Sequence, residues 1–208
     1  MDANQESLSN PFGMDEECRN CPALCETRET VVHGYGDVGG DFLVLGESPS
    51  EGADASGVPF TGEAERGLLD ILSAVEMCPD PDADRPDLDN VFLTYLTRCR
   101  HGDRAATDEE VRNCEPYLNS EVRMINPEII LPVGQRPLEE LAFEYTTMSA
   151  DELDVVEQHA TTIRGRGFEL IPMVPPADQT DEQREALLEH LSDTLGRDYR
   201  QTKGRRSR

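Results

Sequence analysis

The sequence predicts an α/β protein, a three-layer α/β/α sandwich around a central four-stranded, mostly parallel sheet. Two observations carry this prediction. Short apolar runs of strand length alternate along the chain with longer segments of helical periodicity, which is the pattern of βαβ units. The first of these runs, residues 42–45, is apolar throughout and ends at a glycine, which is typical of a parallel strand covered on both faces.

The remaining elements follow in order along the chain. Strands are predicted at residues 42–45, 90–97, 127–133 and 167–174. Helices are predicted after Gly62, from a capping box at Thr107, over 138–143 and over 180–195, with a weaker helical region at 146–160. We expect one domain over residues 14–196, preceded by a loose polar segment, 1–13, and followed by a basic flexible tail, 197–208.

The chain is strongly acidic. Its 208 residues include 43 acidic and 19 basic side chains, which gives a formal net charge of −24. Such a composition is typical of halophile proteins, because about 1 M salt screens charge repulsion within about 3 Å. A disordered acidic chain is the alternative, and the apolar runs argue against it.

The sequence contains no membrane span and no targeting segment that we recognise. No stretch approaches the ~20 apolar residues needed to cross a bilayer, and no signal peptide opens the chain. We therefore expect a cytoplasmic protein that does not contact membranes. The oligomeric state does not follow from the sequence, and a monomer is the default expectation.

The end of the first predicted strand is the candidate ligand site. Gly46 closes the strand, and Glu47 and Ser48 follow at its carboxyl end, where open α/β sheets bind their ligands. Phe60 lies in a loop bracketed by glycines. Such a ring is either a plug on the core or a platform for a flat ligand, and the pattern alone favours the plug because most aromatic residues pack.

Four of the six cysteines form a candidate metal site. They are Cys18, Cys21, Cys99 and Cys114. Four thiolates from two parts of a chain can enclose a [4Fe–4S] cluster or a Zn²⁺ ion, and the spacing alone does not choose between these cofactors. Cys25 and Cys78 remain as core thiols, and Cys25 is close enough in sequence to compete as a ligand.

Five motifs in order carry a resemblance to a known family. They are Cys18-x-x-Cys21-Pro22, Gly46-Glu47-x-Pro49, Gly57-x-Pro59-Phe60-x-Gly62, Arg98-Cys99-Arg100 and Thr107-x-Glu109-Glu110-x-x-x-Cys114. This set resembles family 4 uracil-DNA glycosylases, the iron–sulfur members of their superfamily, from about residue 18 to residue 176.

The resemblance implies a function and roles for the motif residues. It implies hydrolysis of the N-glycosidic bond of a damaged base in single- or double-stranded DNA, and a [4Fe–4S] cluster on the four cysteines. Phe60 matches the family ring that stacks on the flipped base, with Gly46 and Ser48 beside it. Glu47 matches the acid near the sugar and the attacking water.

Two of the positions that depart from the family pattern bear on catalysis. Tyr95 stands where the family has an asparagine that reads the uracil edge, and Pro175 stands where it has a histidine. A phenol cannot make the bidentate amide contact, and proline has no N–H to donate. We therefore expect a glycosylase with weak or altered uracil activity that relies on Glu47 and the Tyr95 hydroxyl. The alternative is a non-catalytic iron–sulfur protein that binds DNA or a repair partner.

Three arginines surround the third cysteine of the metal site and are candidate phosphate contacts. They are Arg98, Arg100 and Arg104. Arginines bind phosphate through charge-assisted hydrogen bonds. The alternative is that these side chains pair with the abundant carboxylates of the protein.

Overall fold

A computed structural model describes residues 7–149, 152–197 and 199. Six strands form one sheet, in the order β1-β3-β2-β4-β6-β5. They are β1 (Tyr35–Gly36), β2 (Phe42–Gly46), β3 (Val91–Tyr95), β4 (Ile129–Pro132), β5 (Ile163–Arg164) and β6 (Glu169–Leu170). The helices are α1 (Pro22–Thr27), α2 (Glu51–Ser56), α3 (Gly67–Ala74), α4 (Asp108–Ile125), α5 (Gln135–Tyr145) and α6 (Asp181–Gly196), with a 3₁₀ turn at Pro176–Asp178.

The sheet has six strands rather than the four that the sequence predicts. The central strands β3, β2, β4 and β6 pair in parallel and correspond to the predicted four. The two additional strands, β1 and β5, pair antiparallel at the two edges. Each of them is only two residues long, which is too short to give a hydrophobic period in the sequence.

Helices cover both faces of the sheet. Alternate residues of β2 enter different cores, with Phe42 and Val44 on one side and Leu43 and Leu45 on the other. The first core is closed by apolar side chains of α3 and α6, and the second by those of α4 and α5. This arrangement explains why β2 is apolar at every position, since it has no solvent-facing side.

Some predicted boundaries need correction. The predicted loose segment is packed over its described part, because Phe12 is buried and contacts Phe92 at a ring-centroid distance of 5.9 Å. The predicted basic tail lies outside the described residues except at positions 197 and 199, where Arg197 pairs with Glu169. The weak helix predicted at 146–160 is absent from the described residues of that range, which form turns.

The helix predicted from the capping box begins as expected. The Thr107 hydroxyl accepts a hydrogen bond from the Glu110 N–H, and the Glu110 carboxylate accepts one from the Thr107 N–H. These two bonds satisfy backbone donors that the first turn of α4 leaves unpaired. Among the described residues, no helix is long and apolar enough to cross a membrane.

A buried ion pair joins β3 to α4. The side chains of Arg98 and Glu121 are each only 1% exposed and form a salt bridge. Glu121 also accepts a hydrogen bond from the Thr94 hydroxyl at 2.7 Å, and Arg98 donates one to the Tyr95 carbonyl at 3.0 Å. The geometry fixes the carboxyl end of β3 against the middle of α4.

Removal of one partner of this ion pair should destabilise the fold strongly. In Glu121→Ala, the Arg98 charge stays buried without its carboxylate, which typically costs about 3–5 kcal/mol. Asp82→Ala is the matched control, because Asp82 is 88% exposed and lies 3.7 Å from its partner Arg66. We expect the control to change the free energy of unfolding by less than about 0.5 kcal/mol in urea titrations at fixed salt. Equal losses in the two variants would contradict the assignment.

Candidate functional site

A cleft opens at the carboxyl ends of the parallel strands. Its volume is about 700 Å³. It is lined by Gly46, Glu47, Ser48, Phe60, Ala64, Glu65, Asp108, Val133, Gly134, Gln135, Arg136, Glu139, Glu140, Pro175 and Pro176. The cleft is therefore built from the segments that follow β2, β4 and β6, at the edge of the sheet where the sequence predicts a ligand site.

Glu47 lies in this cleft, where the sequence predicts a catalytic carboxylate. Its side chain is 34% exposed, and its backbone carbonyl accepts a hydrogen bond from the Thr97 N–H. Arg136, in the first turn of α5, lies 3.5 Å from the Glu47 carboxylate and donates a 2.8 Å hydrogen bond to Asp108. Arg136 is the one basic residue among the described lining residues, so carboxylates dominate the charge of the cleft.

Phe60 does not present an open ring face to this cleft. It is 2% exposed, and its ring stacks on the ring of Tyr95 with a centroid separation of 4.7 Å and an interplanar angle of 24°. The Tyr95 hydroxyl also accepts a hydrogen bond from the Phe60 N–H at 2.8 Å. Phe60 therefore combines features of both interpretations. Its ring is packed like a core residue, but it also serves as a stacking platform, for Tyr95 at the family's asparagine position.

Both rings pack directly against the backbone of Gly46, which has no side chain to hold them away. A Cβ at this position would lie 2.7 Å from the Tyr95 ring and 2.8 Å from the Phe60 ring. Gly46 pairs directly with Tyr95 across β2 and β3, which puts their side-chain positions on the same face of the sheet. Any larger residue would therefore push the two rings apart.

Glu65 is a site residue that the sequence did not reveal. The Tyr95 hydroxyl donates a 2.8 Å hydrogen bond to its carboxylate. Burial raises the pKa of Glu65, and hydrogen bonds to Ser50 and Tyr95 oppose that rise. Burial also raises the pKa of Tyr95 well above its ordinary value, and the nearby Glu65 adds to the effect. Nothing in the sequence separates Glu65 from its acidic neighbour Glu63.

Pro175 lines the cleft, and no imidazole takes the place of the family histidine there. The nearest described candidate is His159, whose Nδ1 accepts a hydrogen bond from the Val174 N–H at 3.0 Å. Its Nε2 is 2.9 Å from the Gln183 carbonyl and donates to it in this tautomer. Both ring nitrogens are therefore occupied by the backbone, so His159 holds the segment before Pro175 and has no free donor for a ligand.

The three candidate phosphate contacts lie in different environments. Arg98 is buried and bound to Glu121, so its predicted contact with DNA phosphate is wrong for this geometry. Arg104 donates two 2.8 Å hydrogen bonds to the Glu110 carboxylate. Arg100 lies 3.7 Å from a carboxylate oxygen of α2 and keeps 26% of its side chain exposed. All three arginines therefore lie next to carboxylates of the protein, which is the alternative to phosphate binding that the sequence left open.

The four predicted metal-site cysteines lie outside the lining of this cleft. All four are buried, and their thiols lie close enough to affect one another electrostatically. They are Cys18 and Cys21 before and at the start of α1, Cys99 after β3, and Cys114 inside α4. Folding thus brings the two sequence-distant pairs into one neighbourhood.

Two of these sulfurs accept hydrogen bonds from side chains. Arg28 donates to Cys99 at 2.9 Å and Asn113 donates to Cys21 at 3.6 Å. Donors directed at sulfur stabilise thiolates, which are the form that binds metal.

The other two cysteines differ from these four. The Cys25 thiol donates to the Cys18 carbonyl at 3.7 Å, and Cys78 is packed in the core on the α3 side of the sheet. Burial raises the pKa of Cys78, as it does for Cys99, whose pKa reaches about 11 although Arg28 opposes the rise.

The donor set of four thiols is one that both an iron–sulfur cluster and a structural Zn²⁺ take. A structural Zn²⁺ needs four ligands that converge at about 2.3 Å from one point. Within the described part of the chain, no group of three or more His, Cys, Asp or Glu side chains converges in a way that could hold one metal ion. A [4Fe–4S] cluster also takes four thiolates, so the residue types present fit that cofactor.

An open, largely parallel sheet flanked by helices, with a cleft at the carboxyl ends of its strands, makes this an α/β protein with a candidate ligand cleft. Comparison with known proteins gives its family. Residues 33–195 match the model of the uracil DNA glycosylase superfamily, and the chain belongs to that superfamily.

Several curated relatives are similar over most of the chain. The type-4 uracil-DNA glycosylase of Archaeoglobus fulgidus is 26% identical over 202 residues, which cover 92% of this chain and 95% of the relative. The type-4 enzyme of Saccharolobus solfataricus is 27% identical and covers 77% of this chain and 71% of its own length. The type-5 enzyme of Thermus thermophilus is 30% identical over 60% of this chain and 67% of its own.

The charge of Glu110 should contribute to stability in a pH-dependent way. Hydrogen bonds from Arg104 lower the pKa of Glu110 from 4.5 to about 2. A lowered folded-state pKa gives stability that is present above pH 4.5 and is lost as the pH falls through about 2. Glu110→Gln keeps the capping box and loses only the charge. We expect the variant to melt below the wild type at pH 7 and the two proteins to converge near pH 2; a constant difference would contradict this.

Proposed function

We propose that this protein is an iron–sulfur DNA glycosylase that hydrolyses the N-glycosidic bond of a damaged base, with Glu47 as its catalytic carboxylate. The position of Glu47 carries the proposal. It is a partly exposed carboxylate in the cleft at the end of β2, next to the Phe60 ring, in a chain of the uracil DNA glycosylase superfamily.

The chemistry of this reaction suits a carboxylate at that position. A glycosylase first turns the damaged nucleotide out of the stack, which costs a few kcal/mol and is cheapest in single strands. The bond between base and sugar then breaks through an oxocarbenium-like state. A carboxylate such as Glu47 stabilises that cation and orients the water that attacks it. Arg136, 3.5 Å away, restrains the direction of the Glu47 side chain.

The four cysteines would hold a [4Fe–4S] cluster. When bound, such a cluster provides a structural link and a redox-active centre. In this chain it would join the segment before α1 to the end of β3 and to α4, because Cys21, Cys99 and Cys114 lie on those elements. The hydrogen-bond donors Arg28 and Asn113 would then face its sulfur ligands.

Uracil is a poor substrate in this proposal. The cleft has a proline at position 175, and Tyr95 is fully engaged with Phe60 and Glu65. A site without a donor for the departing base loses stabilisation that is typically worth 10²–10³ in rate. We therefore expect slow uracil release, or a preference for another deaminated base.

A second function is favoured by one observation. The stacked, buried pair of Phe60 and Tyr95 leaves no open ring face for a base. A protein that kept this geometry permanently would bind DNA or a repair partner through its iron–sulfur fold without catalysis. Binding without base release in the assays below would favour that function.

The cofactor proposal predicts a coloured protein. Anaerobically purified protein should contain about four irons per chain and absorb broadly near 400 nm, as thiolate-bound iron does. Cys99→Ala should lose iron and melt at a lower temperature, because one ligand and its structural link are removed. Cys78→Ala is the matched control, since Cys78 is an equally buried thiol in the opposite core. A colourless protein with one zinc per chain would refute the cluster.

The catalytic proposal predicts dependence on Glu47. Base release should be measured in molar salt, on oligonucleotides that carry uracil, hypoxanthine or xanthine. Glu47→Gln keeps the size of the side chain and removes its charge, so we expect a loss of about 10²-fold or more in any observed rate. Glu139→Gln is the control, because Glu139 lines the same cleft. Fast uracil release that survives Glu47→Gln would show that the reaction occurs elsewhere.

A further inference from the structure

We propose that Tyr95 occupies the place of the flipped base on Phe60, and that Glu65 latches it there. Tyr95 is then a specificity-determining residue, and Glu65 is its positioning residue. The inference rests on the proposed function, since it takes Phe60 as the ring that stacks on a base. It goes further by identifying what fills that position when no base is bound.

The stacking geometry supports the first part. The Phe60 and Tyr95 rings are nearly parallel at a centroid separation of 4.7 Å, which is the close end of the usual aromatic range. A planar base cannot enter between rings at this distance. The two side chains are 2% and 1% exposed; Phe60 lines the cleft, and Tyr95 stacks on its ring from within the core.

The hydrogen bonds support the second part. The Tyr95 hydroxyl accepts from the Phe60 N–H and donates to Glu65, each at 2.8 Å. Phe60 and Glu65 both belong to the segment between α2 and α3, so one hydroxyl is held by two points of the same segment. Phe60 has a left-handed backbone conformation with φ of 61°, which directs its N–H toward that hydroxyl.

A base and Tyr95 must therefore compete for Phe60. Tyr95 is the last residue of β3, a central strand, so its ring leaves by rotation of the side chain rather than by movement of the sheet. Gly46 has no side chain, so it does not block movement of the Tyr95 ring in the opposite direction. A strand with an abasic sugar needs no such rotation. The resting protein should accept abasic deoxyribose more readily than a base-bearing nucleotide.

The test compares two single-stranded oligonucleotides of one sequence. One carries 2′-fluoro-2′-deoxyuridine, which resists cleavage, and the other carries a tetrahydrofuran abasic analogue at the same position. Dissociation constants are measured by fluorescence anisotropy in molar salt with the iron-loaded protein, beside an undamaged strand. The readout is the ratio of the two dissociation constants. A general loss of protein stability would weaken binding of both strands alike and would leave this ratio unchanged.

Three variants separate the latch from a structural role. Tyr95→Phe keeps the ring and removes both hydrogen bonds. Glu65→Ala removes the acceptor, and Glu65→Gln restores an acceptor oxygen. We expect Tyr95→Phe and Glu65→Ala to bind the base-bearing strand about 2- to 10-fold more tightly, as the loss of one hydrogen bond predicts. Binding of the abasic strand should stay unchanged, and Glu65→Gln should resemble the wild type.

The outcomes distinguish this inference from the proposed function. An unchanged ratio in Tyr95→Phe would overturn the latch, and this variant decides alone if Glu65→Ala does not fold. A wild type that prefers the base-bearing strand would overturn it as well. If the wild type binds neither damaged strand better than the undamaged one, the proposed function fails instead, and the inference fails with it.

Discussion

The guanidinium of Arg98 is buried where β3, α4 and the cysteine site meet, and the surrounding structure depends on its pairing with Glu121. The same residue donates to the Tyr95 carbonyl through its side chain, and it directly precedes Cys99 in the chain. A charge can be buried only with such partners. The Arg98 side chain therefore fixes the carboxyl end of β3, at Tyr95, relative to α4, which carries Cys114.

The cleft keeps Gly46 and Glu47 of the family motif, whereas Tyr95 and Pro175 nearby depart from the family pattern. Gly46 accommodates two rings, and Arg136 lies 3.5 Å from the Glu47 carboxylate at the edge of the cleft. Tyr95 fills the neighbouring volume and is fixed by Glu65. The predominance of carboxylates around this cleft also means that DNA would approach against an unfavourable field, which concentrated salt screens. Salt would weaken phosphate contacts at the same time.

Much of this arrangement was predictable because it depends on local pattern. The parallel strands follow from apolar runs, α4 from its capping box at Thr107, and the position of Glu47 from the end of a strand. The edge strands β1 and β5 were missed because two residues carry no period. The role of Arg98 was wrong because a buried arginine and a surface arginine look the same in a sequence.

The sequence by itself determined the class of fold and the family, since both depend on residue types at fixed spacing, and it predicts the four cysteines as metal ligands. Only the tertiary structure decided which groups meet. It placed Tyr95 on Phe60, chose Glu65 rather than Glu63 as the partner of its hydroxyl, and gave the sulfurs of Cys99 and Cys21 a donor each. These contacts join residues far apart in the chain, and only close packing of the folded core determines them.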